Sequence, residues 1–330
     1  MVAAVAPEEA PSRRRPGGGL TTLLLVMLAL AFTAVAVARL LEIDGNRHVV
    51  AAVALTPYVT AAGLVLGSLA LLLHRWAVGT VVTVLAVVLV AALAPRAFPD
   101  SRPVGVGASI RVMSANLYAG QADAGAVVAA VRDRRVDVLS LQELTPEAVT
   151  ALDRAGLARE LPYRLFQAEP GASGSGIASR HPLQERTLSP PAGFRQPAAF
   201  VDLPGQQGIE VQVVHARPPV VPEGPERWQR ELAGLPERVL DRPPRVLAGD
   251  FNGTLDHVAV RRLLVSGYAD AAASVGAGLK PTWPSGTFWP PPVTIDHLLV
   301  DRRCPLDSYE VIDIPGSDHR AVLAQFVVPE

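Results

Sequence analysis

Cysteine is all but missing from this chain: Cys304 stands alone in 330 residues. That excludes an internal disulfide and a thiolate cage for a metal, and leaves Cys304 as a small apolar filler. Lysine is equally scarce, with Lys280 the single example. Formal net charge is −1, so no overall field draws the chain to nucleic acid. After residue 100 the chain holds 23 Lys and Arg against 26 Asp and Glu, which is not the basic footprint of a duplex binder. No internal repeat and no glycine-rich phosphate loop is visible.

What the first hundred residues have instead is apolar length. Leu20 to Ala38, Val49 to Leu73 and Ala77 to Pro95 carry no Asp, Glu, Lys or Arg. Each is close to or above the roughly 18–20 residues that span a bilayer. A single run would fit a signal peptide; three with short polar breaks fit a helical anchor in the lipid bilayer. Buried helices of a soluble domain would show a polar face, and these runs have none. Arg13, Arg14 and Arg15 precede the first run and favour a cytoplasmic amino terminus. Glu42 to His48 then lies outside, and His74 and Arg75 form a tight inner loop. Three crossings place the chain beyond Pro95 outside the cytoplasm, in a multi-pass protein of the plasma membrane. Arg39 and Arg96 fall at outer interfaces. The expected organisation is a cytoplasmic tail at 1–19, an anchor at 20–95, a Pro- and Gly-rich linker at 96–107 and a catalytic domain at 108–330.

In that last part strand-like and helix-like patterns roughly alternate. Ser109 to Leu117, Val136 to Leu141, Gly176 to Ser179, Ala198 to Leu203, Ile209 to His215 and Arg245 to Phe251 read as strands. So do Thr294 to Val300, Tyr309 to Ile314 and Ala321 to Val328. Asp123 to Arg134, Pro146 to Gly156, Pro225 to Leu240 and His257 to Ser266 read as helices. The pattern predicts an α/β domain built on sheets, long enough to bury a full core.

Polar residues collect where these strands stop: Asn116, Gln142 with Glu143, His215, then Asp250 and Asn252. Single polar residues at strand ends ordinarily begin loops. On a strand running through Gly249-Asp250-Phe251-Asn252, however, Asp250 and Asn252 would face one cavity. An acid beside an amide suits a phosphate ester, the acid handling a proton or a metal-bound water and the amide donating to a phosphoryl oxygen. Asp296, inside the apolar run Ile295-Asp296-His297-Leu298-Leu299, is costly to bury without a partner. A histidine is the natural one, because a carboxylate fixes the tautomer and orientation of an imidazole.

Together, Asn116, Gln142-Glu143, His215, Gly249-Asp250-Phe251-Asn252, Ile295-Asp296-His297 and Ser317-Asp318-His319 resemble, in order, the motifs of the endonuclease/exonuclease/phosphatase superfamily. Gly176 to Leu183 and Thr282-Trp283-Pro284 resemble two further segments of it. The superfamily holds deoxyribonuclease-I-like nucleases, abasic-site endonucleases, neutral sphingomyelinases and inositol polyphosphate phosphatases. The resemblance implies a four-layer sandwich, two mixed sheets face to face with helices outside. It implies that Glu143, with Asn116 and Asp318, holds Mg²⁺, with Mn²⁺ as the alternative. It gives His319, oriented by Asp296, the contact with the scissile phosphate. Asp250 would activate water or protonate the leaving oxygen, Asn252 would hold a phosphoryl oxygen, and His215 would do the same or serve as a second acid. Thr294 stands where many relatives have arginine, and Ala216-Arg217 replaces a frequent Thr-His or Thr-Asn. Arg180, Arg195 and Arg217 are candidates for a second phosphate, or merely solvated. His181 and His257 read as loop residues, and His297 adjoins the site without a role. Trp283 and Trp289, in the Pro-rich loop from Pro281 to Pro292, read as a packed lid or as an aromatic contact with lipid.

Three functions remain. The first is a tethered hydrolase of a lipid-linked phosphate, because three spans before such a domain also resemble actinobacterial membrane proteins linked to teicoplanin resistance. That resemblance points to undecaprenyl-pyrophosphate-type cell-wall lipids, and the Ala, Val, Arg and Pro bias is that of a high-GC bacterium. The second is a tethered nuclease, against which the missing basic footprint counts. The third is a binding protein that has lost its chemistry, against which the complete catalytic set counts. No protein partner is evident.

Overall fold

The computed structural model describes residues 18–100, 105, 107–205 and 207–329. Arg13, Arg14 and Arg15, and residues 101–104 and 106 of the expected linker, lie outside these.

The apolar amino-terminal runs form helices α1 (Gly18–Leu40), α2 (Arg47–Ala54), α3 (Thr56–Leu72) and α4 (Trp76–Leu93). Two helical stretches, Gly19–Leu40 and Trp76–Ala97, are each long and apolar enough to cross a membrane. The middle run departs from the expected single span, because α2 and α3 meet at a bend of 72°. Pro57 in the first turn of α3 is the physical reason: it has no N–H to continue α2 and it restricts the residue before it. Counting the bent pair as one, the crossings number up to three. The helices touch through small residues, since a Cβ on Gly63 would collide with the Phe32 ring and one on Gly67 with Thr83. Outward, Leu23, Leu24, Met27, Leu28, Val65, Leu69, Val84 and Val87 stay exposed.

The remaining chain runs through β1 (Gly107–Asn116), α5 (Ala124–Asp133), β2 (Val138–Gln142), α6 (Pro146–Ala155), α7 (Leu157–Glu160), β3 (Tyr163–Gln167), β4 (Ser175–Ser179), β5 (Leu183–Arg186), β6 (Ala198–Leu203) and β7 (Gln207–His215). It continues with α8 (Gly224–Ala233), β8 (Arg245–Asp250), α9 (Val258–Val265), β9 (Tyr268–Asp270), α10 (Ala271–Ser274), β10 (Asp296–Asp301), β11 (Leu306–Asp313) and β12 (Arg320–Pro329). One six-stranded sheet has the order β11-β12-β1-β2-β4-β3 and the other β5-β6-β7-β8-β10-β9. Each is mixed: β1 and β2 run parallel, as do β7 and β8, among antiparallel neighbours.

Alternation along the strands builds the layers. Val112, Val138, Val246 and Leu298 meet between the sheets. Met113 and Leu139 face out onto Val128, Val131 and Leu152 of α5 and α6. Leu247 and Leu299 face out onto Trp228 of α8 and Val260 of α9. Two mixed sheets flanked by helices are what the resemblance implied. Helix α8 is shorter than the expected Pro225 to Leu240, ending at Ala233 before Gly234 and Leu235-Pro236.

The amino-terminal helices and the sheets are locked together. Arg39 Nε lies 2.7 Å from Asp256 Oδ1, and Arg96 donates to both Asp256 oxygens at 2.8 Å. Both arginines, expected at outer interfaces, are therefore buried against the body. The start of the expected linker is packed as well, with Gly278 N donating to Arg96 O and Asp100 N to Ser274 O. Tyr58 Oη, at the start of α3, donates to Pro292 O at 2.8 Å. The carboxyl ends of α1 and α4 and the amino end of α3 thus converge on one face of the body. Burial alone would raise the Asp256 carboxyl, but the Arg96 and Arg39 guanidinium groups overcome it and hold it below the ordinary value. Its stabilising contribution is therefore present above the usual carboxylate pKa and lost as pH falls through the depressed one. Asp256→Ala leaves two buried guanidinium groups unpaired, and the expected loss is about 3–5 kcal/mol. Denaturant unfolding of the purified full chain measures it.

Candidate active site

Strand direction explains why residues far apart in sequence share one cavity. Asn116 closes β1, His215 closes β7 and Asp250 closes β8, while Asp296 opens the antiparallel β10. In register, Asp250 lies beside His215 on one side and Asp296 on the other. Strand ends from the two sheets meet here, and Asn116 Nδ2 donates across to Asp250 Oδ2 at 3.2 Å. Gly249 permits the approach of the neighbouring strand, since a Cβ there would collide with Val214 O.

The pairing of Asp250 with Asn252 arises differently from the expected strand alternation. Strand β8 stops at Asp250, and Asn252 adopts a left-handed backbone with φ of 47°. Asn252 N donates to Asp250 Oδ1 at 2.8 Å, an Asx turn that folds both side chains into the cavity. Asn252 Nδ2 donates to Ala216 O at 2.9 Å and to Asp250 Oδ2 at 3.2 Å, so the amide steadies the acid. Glu143 is also left-handed, with φ of 56° just past β2. Ala119 N donates to Glu143 Oε2 at 2.6 Å, and Asn116 Nδ2 donates to Oε1 at 3.3 Å. Left-handed non-glycine residues held this way store strain where a site is assembled.

His319 Nδ1 lies 3.0 Å from Asp296 Oδ2, and Thr282 Oγ1 accepts the Ile295 and Asp296 N–H groups and fixes the start of β10. Burial alone would lower the His319 pKa, but the Asp296 and Asp250 carboxylates outweigh it and raise it to about 10. Asp250 is pushed up to about 7, first by burial, with His319 opposing and Asp296 and Glu143 assisting. His215 is driven down to about 3, first by burial and then by the charge on His319. It is a neutral imidazole stacked on Phe194 at 4.5 Å, its Nε2 3.9 Å from Glu143 Oε1.

A divalent cation has a fitting donor set. Asp318 Oδ1 is buried without a hydrogen-bond partner, while Trp283 Nε1 donates to Oδ2 at 3.0 Å and aims the carboxylate. With Glu143, this is the hard oxygen chemistry that a divalent cation takes, and the Asn116 amide adjoins it, with Oδ1 accepting from Tyr118 N at 3.0 Å. Asp250, Asp296 and His319 are closer together, their ligand atoms all within 4.8 Å. There His319 Nδ1 is already engaged by the Asp296 carboxylate, which favours the charged ring.

The cavity, of about 350 Å³, is lined by Glu143, His215, Asp250, Asn252, Asp318 and His319. Its other lining residues include Phe194, Val220 and Val293, with Val50, Ala51 and Ala54 of α2. None of these apolar residues had a local signal in the sequence. Ser317, named in the last motif without a role, ties the site together: its Oγ donates to Asn116 O and accepts from His319 N. Arg180, Arg195 and Arg217 lie beside Asp137, Glu169 and Glu231 respectively, and none lines the cavity. His181 is in a loop near Asp137. His257, read as a loop residue, is buried with its Nε2 2.9 Å from Val50 O and lines the cavity. His297 is turned away, its ring nitrogens on Asp270 Oδ2 and Gly253 O. Trp289 is 81% exposed beside Phe288 at 94%, so only Trp283 packs at the site.

Among solved structures the fold is similar to an endonuclease/exonuclease/phosphatase from Beutenbergia cavernae DSM 12333, with TM-score 0.50, 20% identity, and 67% of this chain and 72% of that one covered. It is also similar to D. rerio TDP2 complexed with single strand DNA product, with TM-score 0.53, 17% identity and coverage of 66% and 99%. An AP endonuclease from Archaeoglobus fulgidus gives TM-score 0.54, 16% identity and coverage of 66% and 99%. No curated protein matches the sequence. The family profile described as Endonuclease/Exonuclease/phosphatase family matches residues 113–319, which begin in β1 and end at His319. By that match the chain belongs to this family of metal-dependent phosphodiesterases, nucleases and phosphatases, and is a metal-dependent phosphohydrolase.

Proposed function

We propose that the chain is a membrane-tethered hydrolase of a lipid-linked phosphate, with undecaprenyl pyrophosphate as its model substrate and with residues 108–330 as the catalytic part. The observation that carries this reading is the shared face: the helices of the anchor join the body beside the cavity. Asp256, which takes Arg39 and Arg96, follows the Asn252-Gly253 turn, and Pro292, which takes Tyr58, adjoins the cavity residue Val293. Tethering there raises the effective concentration of substrates embedded in the bilayer. An anchor of three crossings separates the catalytic part from the basic tail, which favours an extracytoplasmic site.

In this mechanism Asp250 is the base. It takes the proton of a water attacking the terminal phosphorus as the bond from phosphorus to the bridging oxygen breaks. Asn116 and Asn252 hold its oxygens in place. The His319 imidazolium, kept charged by Asp296, donates to a phosphoryl oxygen and returns a proton on the leaving side. Neutral His215 offers a second donor without adding charge. Glu143, Asn116 and Asp318 would hold Mg²⁺, which when bound neutralises phosphoryl charge and acidifies water. Chelation is expected to abolish activity, and Mg²⁺ to restore it. Glu143→Gln is expected to raise the half-saturating Mg²⁺ concentration about 10–100-fold, read by titrating the ion against rate.

Phosphate release from a polyprenyl diphosphate tests the reading, with membranes carrying wild type or Asp250→Ala. Release by wild type alone supports it. Equal release from both preparations removes its support, and plasmid nicking without lipid hydrolysis transfers the site to nucleic acid.

A further inference from the structure

Helix α2 belongs by sequence to the anchor but by packing to the active site. Its amino end is capped, with Asn46 Oδ1 accepting from His48 N at 2.8 Å. The 72° bend before α3 turns its eight residues out of line with that helix and onto the body. Val50 packs in the same cluster as Trp228, Phe251, Leu255 and Val260. The Val50 carbonyl meets His257 Nε2, and the His257 ring stands edge-on to Trp228 with centroids 5.3 Å apart. The helix is therefore fixed by the catalytic body, and its exposed Ala51 faces the cavity beside Val50 and Ala54.

The cavity therefore has two kinds of lining: Asp250, Asn252, His215 and His319 supply polar groups, and α2 with the Pro218-Pro219-Val220 segment presents apolar surface. Val220 and Val221 are about half exposed, and Phe288 and Trp289 protrude from the loop that Tyr58 holds at the base of α3. An aromatic and apolar rim at the foot of an apolar helix is the composition of a membrane–water interface. A sugar or a base next to the phosphate would need hydrogen-bonding side chains on this wall; Val50, Ala51, Ala54 and Val220 supply none, and the His257 ring nitrogens are taken up by Val50 O and Thr254 N.

Resting on the lipid-phosphate reading above, we propose that α2 is a substrate-binding element. It holds the apolar segment adjoining the phosphate, so that the anchor forms one wall of the active site and selects amphiphilic substrates by their chain. The cavity then opens toward the bilayer, and the chain reaches the catalytic groups without leaving apolar surroundings.

The test uses the full chain in proteoliposomes with Mg²⁺ and two substrates of one headgroup, farnesyl diphosphate and isopentenyl diphosphate. The readout is the ratio of their kcat/KM values. Wild type is expected to favour the longer chain at least tenfold. Ala51→Trp, which fills the wall, and Ala54→Asp, which charges it, are each expected to lower the ratio at least tenfold through KM for the farnesyl substrate. His48→Trp, on the exposed side of α2, is expected to keep it. If wild type favours the long chain and both wall variants keep the ratio, α2 is only a scaffold while the lipid reading stands. If wild type shows no chain preference, both are overturned. A second measurement covers loss of folding: a farnesyl diphosphate carrying a diazirine in its first isoprenyl unit is photolysed on the full-length Asp250→Asn chain. Label in residues 47–54 supports the proposal, and label confined to other segments overturns it.

Discussion

Asp250→Asn is expected to lower kcat for phosphate release by about 10³-fold, within the range by which a positioned acid or base accelerates proton transfer. Asp250 is where both sheets converge, and three hydrogen bonds from two asparagines hold its carboxylate. Burial, the largest influence, raises its pKa to about 7 against the pull of His319. A base with that pKa is half ionised at neutral pH, and wild-type kcat/KM should rise as pH passes through about 7. Asparagine fills the same space but accepts no proton, so the variant should lose both the rate and that acidic limb. A variant that keeps the limb while losing rate would assign the limb to another group.

The second large effect is expected from Asp296→Asn, which should cost on the order of 10²-fold in kcat. Asp296 and Asp250 raise His319 to about 10 although burial works in the opposite direction. A raised histidine contributes stability that is complete below its unfolded pKa of about 6.5 and is lost as pH rises through about 10. Replacing one of the two carboxylates by a neutral amide removes part of what keeps the ring charged. The alkaline limb of the pH–rate profile should therefore move from about 10 toward the ordinary histidine value. Proton NMR of the His319 ring follows the same shift without reference to rate. An unmoved limb would show that Asp296 does not hold the charge on His319.

Much of the sheet-built part was legible because central strands such as Val138–Gln142 and Arg245–Asp250 are buried on both faces and read as apolar runs bounded by polar ends. Val138–Gln142, Ala198–Leu203 and Arg245–Asp250 were visible to within a residue or two. The short strands Leu183–Arg186 and Tyr268–Asp270, each at the edge of its sheet, carried too little pattern to register.

The site was legible as a set of residue types but not as a geometry. Asp250 and Asn252 do share the cavity, yet a turn with a left-handed Asn252 brings them together, and an alternation pattern cannot register a turn. Hydropathy found the run from Val49 to Leu73 but passed over Pro57, the residue that divides it. The contacts of Asp256 with Arg39 and Arg96 span 217 and 160 residues, and the contact of His257 with Val50 spans 207. Pairings at such separation leave no local trace in a sequence, which is why the packing of the amino-terminal helices on the sheets emerged only in three dimensions.

The most direct measurement is phosphate release from undecaprenyl pyrophosphate by the purified full chain in proteoliposomes with Mg²⁺, run beside nicking of supercoiled plasmid under the same conditions. The account predicts phosphate release that depends on Mg²⁺ and disappears with Asp250→Asn, and plasmid that stays intact. Nicked plasmid with the lipid left whole would contradict it.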